Sequence, residues 1–205
     1  MESTLPETDL MERPVRQKRP GGRTADVTRR INEAVLELLV EGGIDACTFQ
    51  NLAARAGIER STLYRRCPDR WPTIIDAIID FAQRETASHD TGSFRGDLAG
   101  TLYNLANVLN GPLGPALITV AAAIQGGAAP GQGERFWASR MERLKPMFDS
   151  AIARGELPPG ADAEEIFSMA AGPIYFRRLV ASKPIGDDWV EKVADEICDR
   201  YFVKD

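Results

Sequence analysis

The sequence predicts an all-α protein, and three observations carry that expectation. Apolar residues recur every three or four positions over most of the 205 residues, the spacing of one helix face. Glycines and prolines cut this pattern into segments of helical rather than strand length. The stretch Thr48–Arg66, TFQNLAARAGIERSTLYRR, reads as two short helices broken at Gly57. The expected architecture is a three-helix head built on a helix-turn-helix, followed by a larger helical C-terminal domain.

The first twelve residues are acidic overall and aperiodic, and are expected to be disordered. Residues 13–23, RPVRQKRPGGR, carry five bases, two prolines and two glycines and read as a flexible basic arm, either contacting DNA or simply solvated. Net charge is −5, yet its distribution is uneven. Residues 1–70 hold twelve bases and eleven acids, whereas residues 71–205 hold thirteen and nineteen. Positive charge therefore gathers before and within the head, where phosphates would lie.

Thr24 is placed to cap the first helix. Val27, Ile31, Ala34, Val35, Leu38 and Leu39 form its apolar stripe, and Gly42-Gly43 is expected to stop it. Arg29, Arg30, Glu33, Glu37 and Glu41 fall on its outer face. In the next helix Leu52, Ala53 and Ala56 share one side, and their small size permits close packing. Gly57 supplies the turn. The following helix, from about Glu59 to Arg66, buries Ile58 and Leu63. It leaves Arg60, Ser61, Thr62, Tyr64, Arg65 and Arg66 largely outward, fit to enter a major groove.

The run from Ile31 to Ile79, INEAVLELLVEGGIDACTFQNLAARAGIERSTLYRRCPDRWPTIIDAIID with its last residue just beyond, resembles the N-terminal DNA-binding domain of TetR-type transcriptional repressors. The resemblance implies a homodimer, an operator-binding head and a C-terminal domain that senses a small molecule. It places Thr62 and Tyr64 where the family usually contacts DNA, and Arg70 where the family often has a backbone-touching lysine. The candidate DNA contacts are thus Arg19, Arg23, Thr48, Arg60, Ser61, Thr62, Tyr64, Arg65 and Arg70. Packing against Leu52 or Phe49 is the other role open to Tyr64. Two positions depart from the family pattern. Glu59 stands where serine is common and either reads a cytosine amino group or sits at a helix N-terminus that favours an acid. Cys67 replaces an aromatic; it is a small filler or, with Arg65, Arg66 and Arg70 near, a thiol switch.

Trp71-Pro72 opens a helix carrying Ile74, Ile75, Ile78, Ile79 and Phe81 to about Ser88, expected to join head to body. The lone histidine, His89, is expected in an exposed loop. Helices follow over about 94–110, then 116–124, apolar nearly all round and so expected at the centre of the body. A long helix from about Glu134 to Arg154 should be kinked or split by Pro146. Asp162 is a plausible cap for the next helix. The last two helices are expected over 163–181 and 187–203.

The C-terminal half is more loosely similar to one branch of the same family, through RGEL, GPIYFRRLV and DDWVEKVADEI. That likeness implies that the last two helices form a four-helix bundle with a second subunit. Ile174, Leu179, Trp189, Val193 and Ile197 are the candidate interface residues; the alternative is that they fill the monomer core. Leu105, Trp137, Met141, Phe148 and Phe167 are candidates to line a pocket for a hydrophobic or aromatic effector, though each is equally ordinary as core. The expected division is a disordered basic arm (1–23), a DNA-binding head (24–70) and an effector-binding and dimerisation domain (71–205).

Partners expected are double-stranded palindromic DNA, a second copy and a small effector, with no cofactor, metal or membrane. Cys47, Cys67 and Cys198 are odd in number and widely spaced, which fits a reducing cytoplasm rather than disulfides or zinc. An enzyme is not expected. No nucleophile–base pair, HExxH or phosphate-cradling loop surrounds His89, and nothing recommends an acid pair such as Asp97 with Glu134. The remaining rivals are a helical module acting by protein contact alone and a thiol-responsive regulator using Cys67.

Overall fold

The computed structural model describes residues 22–85 and 89–203. Within them the chain forms α1 (Gly22–Ala46), α2 (Phe49–Ala56), α3 (Arg60–Arg66), α4 (Arg70–Glu85), α5 (Phe94–Asn110), α6 (Gly114–Gln125), α7 (Gln132–Ala153), α8 (Ala163–Tyr175) and α9 (Asp187–Tyr201). A π-helical turn, Phe176–Val180, extends α8. The arm expected over residues 1–23 lies outside the described residues, apart from the backbone at its end.

The head follows its apolar pattern. Ile31, Ala34, Val35, Leu38 and Leu39 of α1 are buried and meet Leu52, Ala53 and Ala56 of α2 and Leu63 of α3. Thr48 caps α2, its hydroxyl accepting from the Asn51 amide at 3.2 Å. Gly57 closes α2 at φ 60°, and its amide returns to the carbonyls of Ala53 and Ala54. One expectation about α1 is corrected. The helix starts at Gly22, so Thr24 is not its cap; its carbonyl instead accepts from the Thr28 hydroxyl at 3.1 Å. Gly42 and Gly43 stop the long helix as expected, both with non-helical backbone (φ 66°, ψ −158° at Gly43), and a short separate turn follows to Ala46.

Buried residues fall into two clusters, and their boundary is not where head and body meet in sequence. One holds α1–α3 together with Ile74, Ile75, Ala77 and Ile78 of α4, Leu113 just before α6, and Ala116 and Val120 within it. The other is formed by α5, α7, α8 and α9, with Phe94, Leu98, Leu102, Phe148, Phe167 and Ile174 at its centre. Thus α4 and α6, which follow the three head helices in sequence, complete the head's core.

That placement corrects the reading of α6. Its composition suggests the middle of the body, but only Gly114, Ala116 and Val120 are buried, and Ala121 and Ala122 are exposed. The helix lies between α1, α5 and α7 with one side open. Pro146 does not split α7. The carbonyl it leaves without a helical donor belongs to Glu142, an exposed residue within reach of solvent. His89 is half-buried rather than a free loop residue: its ring lies against Gly100, where a Cβ would come within 2.6 Å, and its Nε2 meets the Asn104 amide nitrogen at 2.9 Å.

Polar pairs lock the body. Arg95 reaches Asp195 and Glu191 at 2.7 Å each, joining α5 to α9. The Tyr103 hydroxyl donates to Glu191 at 2.6 Å, and this bond, helped by burial, pushes the phenol up to about 12. Asp97, 2% exposed, accepts from the Thr91 amide and hydroxyl at 2.7 and 2.8 Å. Asp162 caps α8 by accepting from the amides of Glu164 and Glu165.

Gly57→Ala should destabilise the chain by about 1–2 kcal/mol from left-handed strain alone. It should cost more than Gly155→Ala, because a Cβ at Gly57 sits 3.0 Å from an Arg30 nitrogen whereas one at Gly155 meets nothing. Urea denaturation of the two variants compares them directly.

Candidate nucleic-acid interface and effector cavity

The helix-turn-helix is held by a long-range clamp. Arg30 of α1 reaches across to the end of α2, where its Nε donates to the Ala56 carbonyl at 2.9 Å and its Nη2 to the Gly57 carbonyl at 2.5 Å. Helix C-termini leave carbonyls without helical donors, and a guanidinium satisfies two at once. Arg30 therefore belongs to the scaffold and not to the solvated outer face that the sequence suggests. Arg55 is similarly tied, to Glu37 at 3.0 Å and Glu41 at 2.6 Å. The bond from Arg55 holds the Glu41 carboxyl below its usual range. Arg29 pairs with Asp26 and Glu33.

The arginines of α3 differ. Arg60, Arg65 and Arg66 are exposed, and none makes an ion pair or hydrogen bond with any described residue. Ser61 is exposed beside them, whereas Thr62 is half-buried. Tyr64 takes the packing role open to it and still stays accessible. Its ring packs on Phe49 with centroids 4.7 Å apart, while the residue stays 54% exposed. Stacking fixes the ring and leaves the phenol in solvent. Glu59 takes the N-cap position of α3 but makes no side-chain capping bond. Thr48 is committed to capping α2, and Arg70 lies over the Trp71 ring at 5.6 Å. Arg19 and the side chain of Arg23 lie outside the described residues.

A second feature lies between the two cores. A cavity of about 330 Å³ is walled by α4 (Ile75, Ile78, Phe81), α5 (Leu105, Val108, Leu109), α6 (Leu117, Ile118, Val120, Ile124), α7 (Phe136, Trp137, Arg140) and α8 with its π turn (Phe167, Tyr175, Leu179). This size is at the small end of ligand pockets. Of the five pocket candidates, Leu105, Trp137 and Phe167 line it. Phe148 does not; it packs on Phe94 at 5.4 Å in the second core, and Met141 lies against that core too. Leu179, a candidate for the subunit interface, faces the cavity instead. Sequence reasoning misses the lining residues of α4 and α6. Their apolar register is visible in the chain, but nothing local says which cavity a stripe will face.

Three of the other interface candidates are corrected as well. Ile174, Val193 and Ile197 are buried in the chain's own core, and Trp189 packs partly against it under Arg177, whose guanidinium lies 4.5 Å from the ring centre. The apolar groups α8 leaves in solvent are Met169 (44% exposed), Phe176 (61%) and Val180 (67%). They follow one another seven and four residues apart, along one face. Gly172 lies among them with open space above its Cα. Among the described residues no three His, Cys, Asp or Glu side chains are grouped to hold a metal, and no single helix is long and apolar enough to cross a membrane.

Comparison with known proteins agrees with this geometry. Residues 31–69 match the family model described as bacterial regulatory proteins, tetR family, and residues 88–197 match that of the tetracyclin repressor-like C-terminal domain. The chain belongs to the TetR family of transcriptional regulators. It is 28% identical over 178 residues to the uncharacterized HTH-type transcriptional regulator YdeS of Bacillus subtilis, spanning 86% of this chain and 90% of that one. It is 29% identical over 159 residues to the HTH-type transcriptional regulator AqdR of Rhodococcus erythropolis, spanning 75% and 74%. The crystal structure of the TetR family transcription regulator SCO0332 superposes with a TM-score of 0.72 at 25% identity, covering 85% of this chain and 97% of that one. As a TetR-family member the protein is a DNA-binding transcriptional regulator, a class that is not enzymatic.

The cysteines bear on the thiol-switch reading of this regulator. Burial pushes the thiols of Cys47 and Cys198 up to about 11, so both stay protonated near neutrality, while Cys67 is half-buried at the end of α3. Ellman's reagent at pH 8 should therefore titrate one thiol quickly in the native protein and three after denaturation. Fast reaction of two or more native thiols contradicts the burial.

Proposed function

We propose that the protein is a homodimeric repressor that leaves its operator when a small, largely apolar effector fills the cavity. Residues 24–70 act as the DNA-binding head, residues 71–205 as the effector-binding and dimerisation domain, and residues 1–23 as a basic arm, with Arg19 and Arg23 reaching phosphate or the minor groove. One observation carries the DNA assignment. The head's arginines divide into those answered by protein groups (Arg29, Arg30, Arg55) and those on α3 left unanswered in solvent (Arg60, Arg65, Arg66). Side chains without a partner on a short exposed helix suit phosphates and base edges. In this reading Arg60 and Ser61, at the start of α3, meet bases. Thr62, Tyr64 and Arg65 grip the backbone, with Arg70 and Thr48 at the flanks.

Two heads must stand about 34–36 Å apart to enter successive major grooves on one face of DNA. The exposed Met169, Gly172, Phe176 and Val180 face supports a symmetric contact that fixes this separation. An effector acts only if it binds better when the heads are set for a different spacing. The cavity walls support such coupling, since Ile75, Ile78 and Val120 are at once cavity lining and head core.

Binding to a duplex from the region upstream of its own gene, followed by fluorescence anisotropy across a salt series, tests the assignment. Replacing Tyr64 with Phe and Arg65 with Ala together should weaken binding by about 1.5–3 kcal/mol for each charge-assisted hydrogen bond removed. Without the Arg65 guanidinium on phosphate, the salt slope should fall by about one. Unchanged affinity and slope would overturn the site; no DNA binding by the intact protein would favour a module acting through protein contact. Phe176→Glu should convert the dimer to monomer in sedimentation equilibrium, and a variant that stays dimeric refutes the α8 face.

A further inference from the structure

The cavity is apolar but for a few groups, and one of them is unusual. Arg140 of α7 lines it, with its guanidinium 5.4 Å from the centre of the Phe167 ring. Most other arginines of the body show the ordinary pattern, and exposed Arg200 lies over the Tyr201 ring in solvent. Arg84, Arg95, Arg135 and Arg154 are each answered by a carboxylate, and Arg177 and Arg178 donate to backbone carbonyls. Arg140 has neither among the described residues. The groups that shape its charge are Tyr175, which also lines the cavity, and Arg143, which adds a second positive charge. Burial draws the guanidinium below its usual range and raises the Tyr175 phenol, so the hydroxyl remains a proton donor. Glu85, the one carboxylate of the lining, is exposed and makes no ion pair with Arg140.

A guanidinium carries five donors, and withdrawing them from water without an acceptor is costly. An aromatic face offsets part of that cost but accepts none of the donors in the geometry a carboxylate offers. We infer that the effector is an organic acid: an apolar, ring-sized body held by α4, α5 and α6, with one anionic group received by Arg140 beside the Tyr175 hydroxyl. The inference rests on the cavity being the effector site and narrows the chemical class that site accepts. The sequence signal is present but silent. Arg140 falls at helical spacing between Phe136 or Trp137 and Leu144, on the stripe that otherwise faces inward. A charge on an apolar stripe is unremarkable until the structure shows that no acid answers it.

The test uses two fluorescent probes of one skeleton, anionic 1-anilinonaphthalene-8-sulfonate and its uncharged parent N-phenyl-1-naphthylamine, titrated into the full-length protein. The sulfonate should bind at least about tenfold more tightly, the equivalent of roughly 1.4 kcal/mol. Arg140→Gln should remove that preference while leaving the neutral probe unchanged, and Arg140→Lys should restore part of it. Ala121 of α6 is exposed but also borders the cavity, so Ala121→Trp should weaken both probes if the cavity is where they sit. Equal affinity of the two probes for the native protein overturns the organic-acid inference and leaves an apolar effector cavity standing. So does an Arg140→Gln variant that keeps the preference. Failure of both probes to bind the native protein, or their indifference to Ala121→Trp, sinks the inference together with the cavity assignment.

Discussion

The structure depends on a core that the head cannot complete alone. One long helix and two short ones bury too little surface to hold α3 rigidly. Ile74, Ile75 and Ile78 from α4, Ala116 and Val120 from α6 and Leu113 just before it close that core. Two helices that follow the head in sequence therefore serve as its floor. The same helices form one wall of the cavity, so a group placed there touches the head's packing directly. Packed interiors respond to added volume by shifting neighbours rather than compressing. A group in the cavity would touch α4 and α6 directly, and each of these packs on α1.

The electrostatics of the head divide along the same line. Guanidinium groups that face the protein are consumed: Arg30 by the end of α2, Arg55 by two glutamates of α1, Arg29 by its own helix. The Arg30 clamp matters most, since it sets the angle between α1 and the turn that launches α3. What remains uncommitted is concentrated on one seven-residue helix whose sole buried side chain is Leu63. Such a helix gains little from its own burial and takes its direction from its neighbours. The chain as a whole is acidic, so the field that meets DNA is local, and salt should weaken it steeply.

Local chemistry is legible in the sequence wherever one segment decides its own shape. The Gly57 turn, the Leu52–Ala53–Ala56 face, the span of α5 and the Asp162 cap all follow from residues within a turn of one another. Sequence leaves open which neighbour each stripe meets. The apolar faces of α8 and α9 are visible in the chain, but Ile174, Val193 and Ile197 turn inward, while Met169, Phe176 and Val180 on a second, less regular stripe face out. The composition of α6 suggests burial, and its actual position half-open beside a cavity depends on four other helices. Arg30 meets carbonyls 26 and 27 residues away, and His89 meets Asn104. Pairings over such separations are set by packing, which no local period encodes.

The shared core has a thermodynamic consequence for the whole molecule. Because α4 and α6 close the head's core and also contact α5 or α7, unfolding of either part strips contacts from the other. Scanning calorimetry of the full chain, at fixed protein concentration and without ligand, measures this directly. A single transition is expected, with a calorimetric enthalpy matching the van't Hoff enthalpy of the cooperative unit. Two resolved transitions, with the head unfolding below the body, would contradict it.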